Sequence, residues 1–162
     1  MTFDLKDYRA ALGSFATGVT IVTALDSVGN GHGLTVNSFA SVSLEPALVL
    51  WCLGNKSDSY ELFATCTAYG VNILSDDQTD LAMRFAGKGD QRLASGEYGK
   101  LATGSPILPG TIAAFDAKVV ERINAGDHLI LIGETQAYQR HDGNGLAYFR
   151  GKFGSTAALA GS

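Results

Sequence analysis

The chain has 162 residues, of which 46% are hydrophobic and 17% are charged, so we expect one folded domain with a sizeable core over residues 1–162. The formal net charge is −4 and no run of basic residues occurs, which argues against a nucleic-acid-binding face. No apolar stretch approaches the ~18 residues of a membrane-spanning helix, and residues 1–6 contain no apolar signal core, so we predict a cytoplasmic protein that does not bind membranes.

The first third of the chain predicts a short helix followed by three strands. Asp4 is a suitable N-cap for a helix over Leu5–Leu12, which Gly13 would end. Runs of β-branched or apolar residues then predict strands over Val19–Leu25, Leu34–Asn37 and Ala47–Leu53. Because the last run is apolar throughout, we expect it to be a central strand that is buried on both faces.

Two further helices are predicted in the middle of the chain, on either side of a strand over Tyr69–Leu74. Asp58 and Glu61 have capping-box spacing at the start of a helix over Ser57–Thr65. Ser75 and Gln78 have the same spacing and open a second helix. The apolar residues expected on the inner face of that helix are Leu81, Ala82, Phe85 and Met83.

The last part of the chain is rich in predicted strands, after a long irregular region over residues 87–110. Irregular regions of that length often have a function. The strand candidates that follow are Ile112–Ile123, Asp127–Gln139 and Leu146–Phe149, and the small residues from Gly154 onward predict a frayed tail. Strands dominate and no repeat or linker is present, which favours a single antiparallel barrel with short helices at its ends.

The sequence contains none of the usual signatures of a protein-borne nucleophile or metal. Cys52 and Cys66 lie in apolar surroundings, which favours buried free thiols over a disulfide or a catalytic thiol. The three histidines are far apart and lack the spacing of a zinc site, so we expect no metal. If the protein is an enzyme, a bound cofactor therefore supplies the reactive atom.

Several polar segments are candidates for ligand binding, each with a simpler alternative. Gly33–Leu44 is dense in hydroxyl and amide groups, which either satisfy their own turn or contact a ligand. Lys56–Ser59 opens a predicted helix and would suit a phosphate, or only cap the helix. Asp127 and His128 begin a strand and would fit either a ligand contact or a solvated surface. The aromatic and basic residues of Tyr148–Phe153 would hold a planar anion or form an ordinary terminal strand.

Together these motifs resemble those of the short-chain flavin reductases, the reductase components of two-component flavin-dependent monooxygenases. The resemblance rests first on F-A-T-G-V-T-I-V-T at Phe15–Thr23 and G-L-T-V-N-S-F-A-S-V-S-L-E-P at Gly33–Pro46. Further matches follow in order over residues 55–59, 84–86, 104–106, 126–128 and 148–151. The resemblance spans about residues 8–154 and implies a split β-barrel that binds FMN or FAD, usually as a homodimer.

The resemblance also implies a set of binding residues and no catalytic side chain. The flavin-binding positions it implies are Thr35, Val36, Asn37, Ser38, Ser41, Trp51, Cys52, Lys56, Ser57, Ser59, Arg84, Phe85 and Ala86. Among these, the Lys56–Ser59 segment matches the phosphate-binding part. The positions it implies for NADH or NADPH are His128, Tyr148, Phe149, Arg150 and Gly151.

The activity implied by the resemblance is hydride transfer from NADH or NADPH to FMN or FAD, with reduced flavin reaching a partner monooxygenase by diffusion. Few basic residues are placed to bind a 2′-phosphate, which favours NADH. One alternative is a reductase of the same fold that acts on a corrinoid or another acceptor with tightly bound FMN. The other is a flavin-binding module without catalytic activity.

Overall fold

The computed structural model describes residues 3–159 of the chain. Its helices are α1 (Leu5–Leu12), α2 (Tyr60–Thr65) and α3 (Thr79–Ala86), with a 3-10 turn at Ala157–Leu159. Its strands are β1 (Thr17–Gly18), β2 (Thr20–Leu25), β3 (Gly31–Val36), β4 (Ala40–Leu44), β5 (Ala47–Gly54), β6 (Ala68–Ile73), β7 (Arg92–Leu93), β8 (Gly99–Lys100), β9 (Pro106–Ile107), β10 (Ala113–Ala125), β11 (His128–Arg140), β12 (Leu146–Phe149) and β13 (Lys152–Ser155). The predicted strand-rich class with short helices is confirmed.

An antiparallel sheet of eight strands forms the body of the protein, in the order β4-β5-β11-β10-β6-β2-β3-β7. The long hairpin of β10 and β11 lies at its centre, between β6 and β5. Strand β12 pairs with β1 and β13 in a separate three-stranded sheet, and β8 pairs with β9. The β12–β13 hairpin is joined to the main sheet through Leu146, whose amide donates to the Leu74 carbonyl at 2.9 Å.

The core contains two clusters of buried side chains. The first is centred on Trp51, whose ring meets those of Phe63 and Tyr69 edge-on at centroid distances of 5.1 and 6.0 Å. The second contains Ile21 and Phe85, and so packs α3 against β2 and β3. Helix α3 contributes Phe85 to this core, and the next residue, Ala86, lies on the surface beside β3. Packing of Phe85 in the core therefore fixes the position of Ala86.

The prediction that Ala47–Leu53 is buried on both faces is wrong. The strand β5 is central, since it pairs with both β4 and β11, but its side chains alternate between core and partial exposure. Val49, Trp51 and Leu53 are buried, whereas the residues between them are half-buried. Successive side chains of a strand point to opposite faces, and only one face of β5 meets the core.

The two middle helices begin later than their capping-box patterns predict. α2 begins at Tyr60, because the Ser57 hydroxyl accepts from the Ser59 amide at 3.2 Å and holds the preceding residues in a turn. α3 begins at Thr79, after a turn in which the Gln78 side chain accepts from the Ser75 amide at 3.1 Å. Ala82 and Phe85 are buried as predicted, but Met83 is 58% exposed, so its predicted inward position is wrong.

The predicted helix α1 is confirmed with its N-cap. The Asp4 carboxylate accepts from the Lys6 amide at 2.8 Å, and the Gly13 amide donates to the Arg9 carbonyl at the other end. The helix buries none of its residues. No helix within residues 3–159 is long and apolar enough to cross a membrane.

The predicted frayed tail is wrong for residues 154–159, and residues 160–162 lie outside the described residues. Lys152–Ser155 forms strand β13, and the Thr156 hydroxyl and amide both bond to the backbone of Gly145. Small residues do not prevent pairing, because these bonds use backbone groups. Ala40–Leu44 belongs to the polar segment for which the sequence predicts a turn or a ligand contact, and it likewise pairs through its backbone as the edge strand β4.

Candidate flavin and nicotinamide site

The hydroxyl groups at the end of β3 are bonded inside the protein. The Thr35 hydroxyl donates to the Ala82 carbonyl of α3 at 2.7 Å. The Thr20 hydroxyl of β2 donates to the Val36 carbonyl at 3.1 Å. These bonds fix the end of β3 against α3 and β2. The corner that follows, at residues 37–39, therefore starts from a defined position.

Ser38 links this corner to β5. Its hydroxyl accepts from the Cys52 amide at 3.0 Å and donates to the Cys52 carbonyl at 3.3 Å. Trp51 points the opposite way and is fully buried, so its side chain lies in the core. Ser41 is exposed on β4. Both cysteines are free, as predicted, but each is only partly buried, and burial raises the pKa of both thiols.

A cavity of about 400 Å³ lies between the end of β3, α3 and the β12–β13 hairpin. We call it the ring cavity, and its lining residues are Val19, Thr35, Val36, Asn37, Met83, Ala86, Tyr148, Gly151 and Phe153. Most of these side chains are apolar or aromatic. Asn37 is exposed and makes no side-chain hydrogen bond among residues 3–159, so its amide is available to a ligand.

A second cavity of about 190 Å³ lies on the other side of Ala86. We call it the lysine cavity, and its lining residues are Leu34, Lys56, Ser57, Asp58, Ser59, Ala86, Gly87, Lys88 and Gln91. Lys56 and Lys88 lie on opposite segments and Ser57 adds a hydroxyl, which is a donor set suited to a phosphate. Asp58 is the one carboxylate in this lining and works against an anion.

The two cavities share Ala86, and Leu34 of the lysine cavity is next to Thr35 of the ring cavity. A ligand with a flat apolar part and an anionic end would therefore fit across both. A flavin phosphate has this form, so the residues present fit the cofactor that the motifs imply. Sequence reasoning missed Val19, Met83 and Lys88, because the approach of each to β3 depends on the tertiary fold, whereas Phe153 belongs to the predicted Tyr148–Phe153 segment.

The Arg84-Phe85-Ala86 segment contributes to the cavities through Ala86. Phe85 is fully buried beneath β3, where a Cβ atom on Gly33 would come within 3.0 Å of its ring. The Arg84 guanidinium binds Glu97 with both terminal nitrogens, at 2.7 and 3.1 Å. This pairing lowers the pKa of Glu97 and raises that of Arg84.

His128 lies beside the loop that carries Lys56. Its Nδ1 is 2.7 Å from Asp127 Oδ1, and this bond lowers the pKa of Asp127. The Asn55 amide donates to the Asp127 carbonyl at 2.9 Å. The imidazole is exposed, and the pairing with Asp127 orients its Nε2 away from the carboxylate.

The segment Tyr148–Gly151 lies at the opposite end of the ring cavity. Arg150 and Gly151 have φ angles of 48° and 80°, the left-handed pair of a two-residue hairpin turn. The turn is held to α1, because the Arg150 amide donates to the Gly13 carbonyl at 3.0 Å. A groove of about 710 Å³ lies between α1 and this turn, lined by Arg9 and Arg150 among others. It adjoins the ring cavity through Tyr148 and Gly151, whereas His128 lines neither.

Residues 12–157 match the family model described as "Flavin reductase like domain". The chain belongs to this family. Three relatives illustrate the range of proteins that it resembles. It is 40% identical to the actinorhodin polyketide dimerase of Streptomyces coelicolor, over 100% of this chain and 92% of that protein. It is also 40% identical to the FMN reductase (NADH) SmoA of Agrobacterium fabrum, over 92% of this chain and 84% of that one.

The third relative is the reductase component of a flavin-dependent trigonelline monooxygenase from Acinetobacter baylyi, again 40% identical over 92% of this chain. This chain spans 48% of that relative, so some flavin reductase-like relatives are about twice as long. Among solved structures, the flavin reductase PheA2 matches with a TM-score of 0.88 at 38% identity, over 96% of this chain and 99% of that one. These matches confirm the predicted split-barrel fold and the predicted class, an oxidoreductase that uses a flavin and a nicotinamide dinucleotide.

Proposed function

We propose that the chain, as one domain over residues 1–162, transfers a hydride from NADH or NADPH to FMN or FAD and supplies reduced flavin to a partner monooxygenase. The observation that carries this proposal is the pair of adjoining cavities that share Ala86, one mostly apolar and one with two lysines. Similarity to the FMN reductase (NADH) SmoA supports this activity, and similarity to the trigonelline monooxygenase reductase component supports this kind of partner. A cytoplasmic location is part of the proposal.

In this proposal the flavin, when bound, supplies the atom that accepts the hydride, and the protein supplies position and charge. Lys56 and Lys88 hold the negative charge of the phosphate, with Ser57 as a further donor. Asn37 offers its amide at the mouth of the ring cavity. Met83, Tyr148 and Phe153 exclude water from the faces of the ring.

The nicotinamide side is assigned to the hairpin turn and to His128. Tyr148 and Gly151 border both the ring cavity and the groove beside α1, so a dinucleotide lying in that groove reaches the flavin ring. Arg150 and Arg9 place positive charge in the groove, where its phosphates would lie. His128 lines neither the ring cavity nor this groove, so its assignment to the pyridine nucleotide rests on the family motif, with Asp127 fixing the imidazole.

We further propose that two copies of the chain associate. Helix α1 exposes Leu5, Tyr8 and Leu12, which recur at helical spacing on one side, and none of its residues is buried. An apolar helix face that is not packed against the core of its own domain favours association with another surface, which removes it from water. Because every copy carries this face, a two-fold pair would cover both.

The test is steady-state oxidation of NADH and of NADPH with FMN, FAD and riboflavin as acceptors. We expect flavin-dependent loss of NADH absorbance. No turnover with any flavin and either nucleotide would contradict the proposal and favour a binding module. Turnover that requires a corrinoid, with flavin retained through gel filtration, would favour the specialised reductase instead.

A further inference from the structure

A bidentate ion pair joins α3 to the loop of residues 87–97. Arg84 donates to both carboxylate oxygens of Glu97, and its Nη2 also donates to the Arg92 carbonyl at 3.0 Å. Glu97 in turn accepts from the Ala94 amide at 2.6 Å. The guanidinium is therefore bonded to the loop at two places, the Glu97 carboxylate and the Arg92 carbonyl. Because its donors are planar, they fix the direction from which the carboxylate approaches.

This loop forms one wall of the lysine cavity. Gly87, Lys88 and Gln91 line it, opposite the Lys56–Ser59 segment. Gln91 holds the loop compact by donating to the Gly87 carbonyl at 2.6 Å, and its own carbonyl accepts from the Gly33 amide at 2.9 Å. The position of the loop therefore decides how far Lys88 lies from Lys56.

Arg84 itself lines neither cavity, although Met83 and Ala86 on the same helix do. We propose that Arg84 and Glu97 are a positioning pair, which acts on the flavin phosphate by holding the 87–97 loop, and Lys88 with it, against the lysine cavity. This inference rests on the proposed function. In this role Glu97 affects the affinity for flavin without touching the flavin.

The loop is anchored in its middle, where Gln91 is bonded and Leu93 is buried, and the ion pair adds a second attachment at Glu97. Residues 86–90 are all exposed. The Asp90–Arg92 pair at 2.9 Å joins residues within the loop and does not connect it to α3. Strand β7, which follows, contributes only two residues to the sheet. Among residues 3–159, the connection from Glu97 to Arg84 is the one salt bridge that joins this loop to α3, in addition to the bond from Gln91 to Gly87 and the packing of Leu93.

The test is a double-mutant cycle with Arg84→Met, Glu97→Gln and the double variant, assayed with FMN and with riboflavin. We expect each single variant to raise the KM for FMN by about fivefold with kcat unchanged, since an exposed pair has an effect of this order. The double variant should match the single ones, because either substitution alone breaks the pair. The KM for riboflavin, which has no phosphate, should stay at the wild-type value.

Asp90→Asn is the matched control, since it removes a carboxylate and an ion pair from the same loop without releasing α3. Its KM for FMN should equal that of the wild type. Arg84→Lys keeps the charge but loses the two-pronged geometry, so we expect it to behave as Arg84→Met does. A wild-type KM in Arg84→Lys would overturn the inference.

A direct contact between Arg84 and the flavin would give a different pattern. Arg84→Met would then raise KM while Glu97→Gln left it unchanged or lowered it, and the effects would add. That pattern, or an equal change with riboflavin, overturns the positioning role. A wild-type protein that is inactive with every flavin overturns the proposed function instead, so the two failures are distinguishable.

Discussion

The polar side chains between Thr35 and Ser43 divide into two groups. Thr35, Ser38 and Ser43 form hydrogen bonds with backbone groups of the protein. Asn37 and Ser41 are exposed, and Asn37 borders the ring cavity. The sequence leaves two interpretations open for this segment, hydrogen bonding within the protein and contact with a ligand. The first applies to Thr35, Ser38 and Ser43, and the second applies to Asn37.

Asn37→Ala removes the side chain that is free to meet the flavin. We expect its KM for FMN and for riboflavin to rise together by about fivefold, the equivalent of one hydrogen bond worth about 1 kcal/mol. The melting temperature should not change. Thr35→Val is the contrasting variant, because it leaves the Ala82 carbonyl without its donor and should lower stability by about 1 kcal/mol. A drop in melting temperature for Asn37→Ala would count against its assignment.

Cys66 gives the fold a dependence on alkaline pH. Burial raises the pKa of its thiol from 9.0 to about 11, so the folded state retains a proton that the unfolded chain loses. A group with a raised pKa stabilises the fold fully below the unfolded value and loses that contribution as pH rises from 9 to about 11. Between pH 8 and pH 10, we expect the wild type to lose roughly 1 kcal/mol more stability than Cys66→Ala. Urea unfolding at both pH values measures this difference, and equal losses would contradict it.

At the scale of elements, the segment before β10 is held across the sheet by buried polar groups. The Asn72 side chain accepts from the Leu108 amide at 2.8 Å and donates to the Ile21 carbonyl at 3.0 Å. Thr23 donates to the Pro106 carbonyl. Strand β6 approaches this segment so closely that a Cβ on Gly70 would lie 2.6 Å from the Pro106 oxygen.

Gly70→Ala should therefore destabilise the fold. The Pro106 oxygen belongs to the backbone and cannot move aside as a side chain would, so we expect a loss of about 2 kcal/mol. Gly154→Ala is the matched control, since nothing lies within 4 Å of its added Cβ and its φ is not left-handed. Denaturant unfolding compares the two variants, and equal stabilities would show that β6 and β9 separate easily.

The elements that sequence reasoning located correctly are those whose own residues specify them. Leu5–Leu12 has its cap, and the strands of the central hairpin contain apolar and β-branched residues at Val119, Val120 and residues 129–132. The late start of α2 could not be predicted, because the Ser57 hydroxyl bonds the Ser59 amide in a turn before the helix. The Gln78 side chain does accept from the Ser75 amide, as in a capping box, but α3 begins only at Thr79. For the site, the family motifs indicated Thr35, Asn37 and Lys56, while Met83 and Lys88 follow only from how α3 and the next loop pack.

For the whole molecule, the exposed face of α1 predicts a dimer in solution. Light scattering should give twice the chain mass for the wild type, and Leu12→Glu should shift it toward one chain mass by placing a charge in an apolar contact. Lys6→Glu, on the same exposed helix, is the control and should remain dimeric. A monomeric wild type, or a Leu12→Glu variant that stays dimeric, would contradict this assignment of the interface.

Because α1 buries nothing, it also has little to lose by detaching from the domain. Its tie to the hairpin turn is a backbone bond at Gly13, so local opening there should cost far less than global unfolding. In the monomeric Leu12→Glu variant, amide hydrogens of Leu5–Leu12 should therefore exchange with solvent much faster than those of β2 or β6. In deuterium-exchange measurements this helix would act as a reporter, since whatever covers it, a second copy or a dinucleotide in the adjoining groove, slows its exchange first.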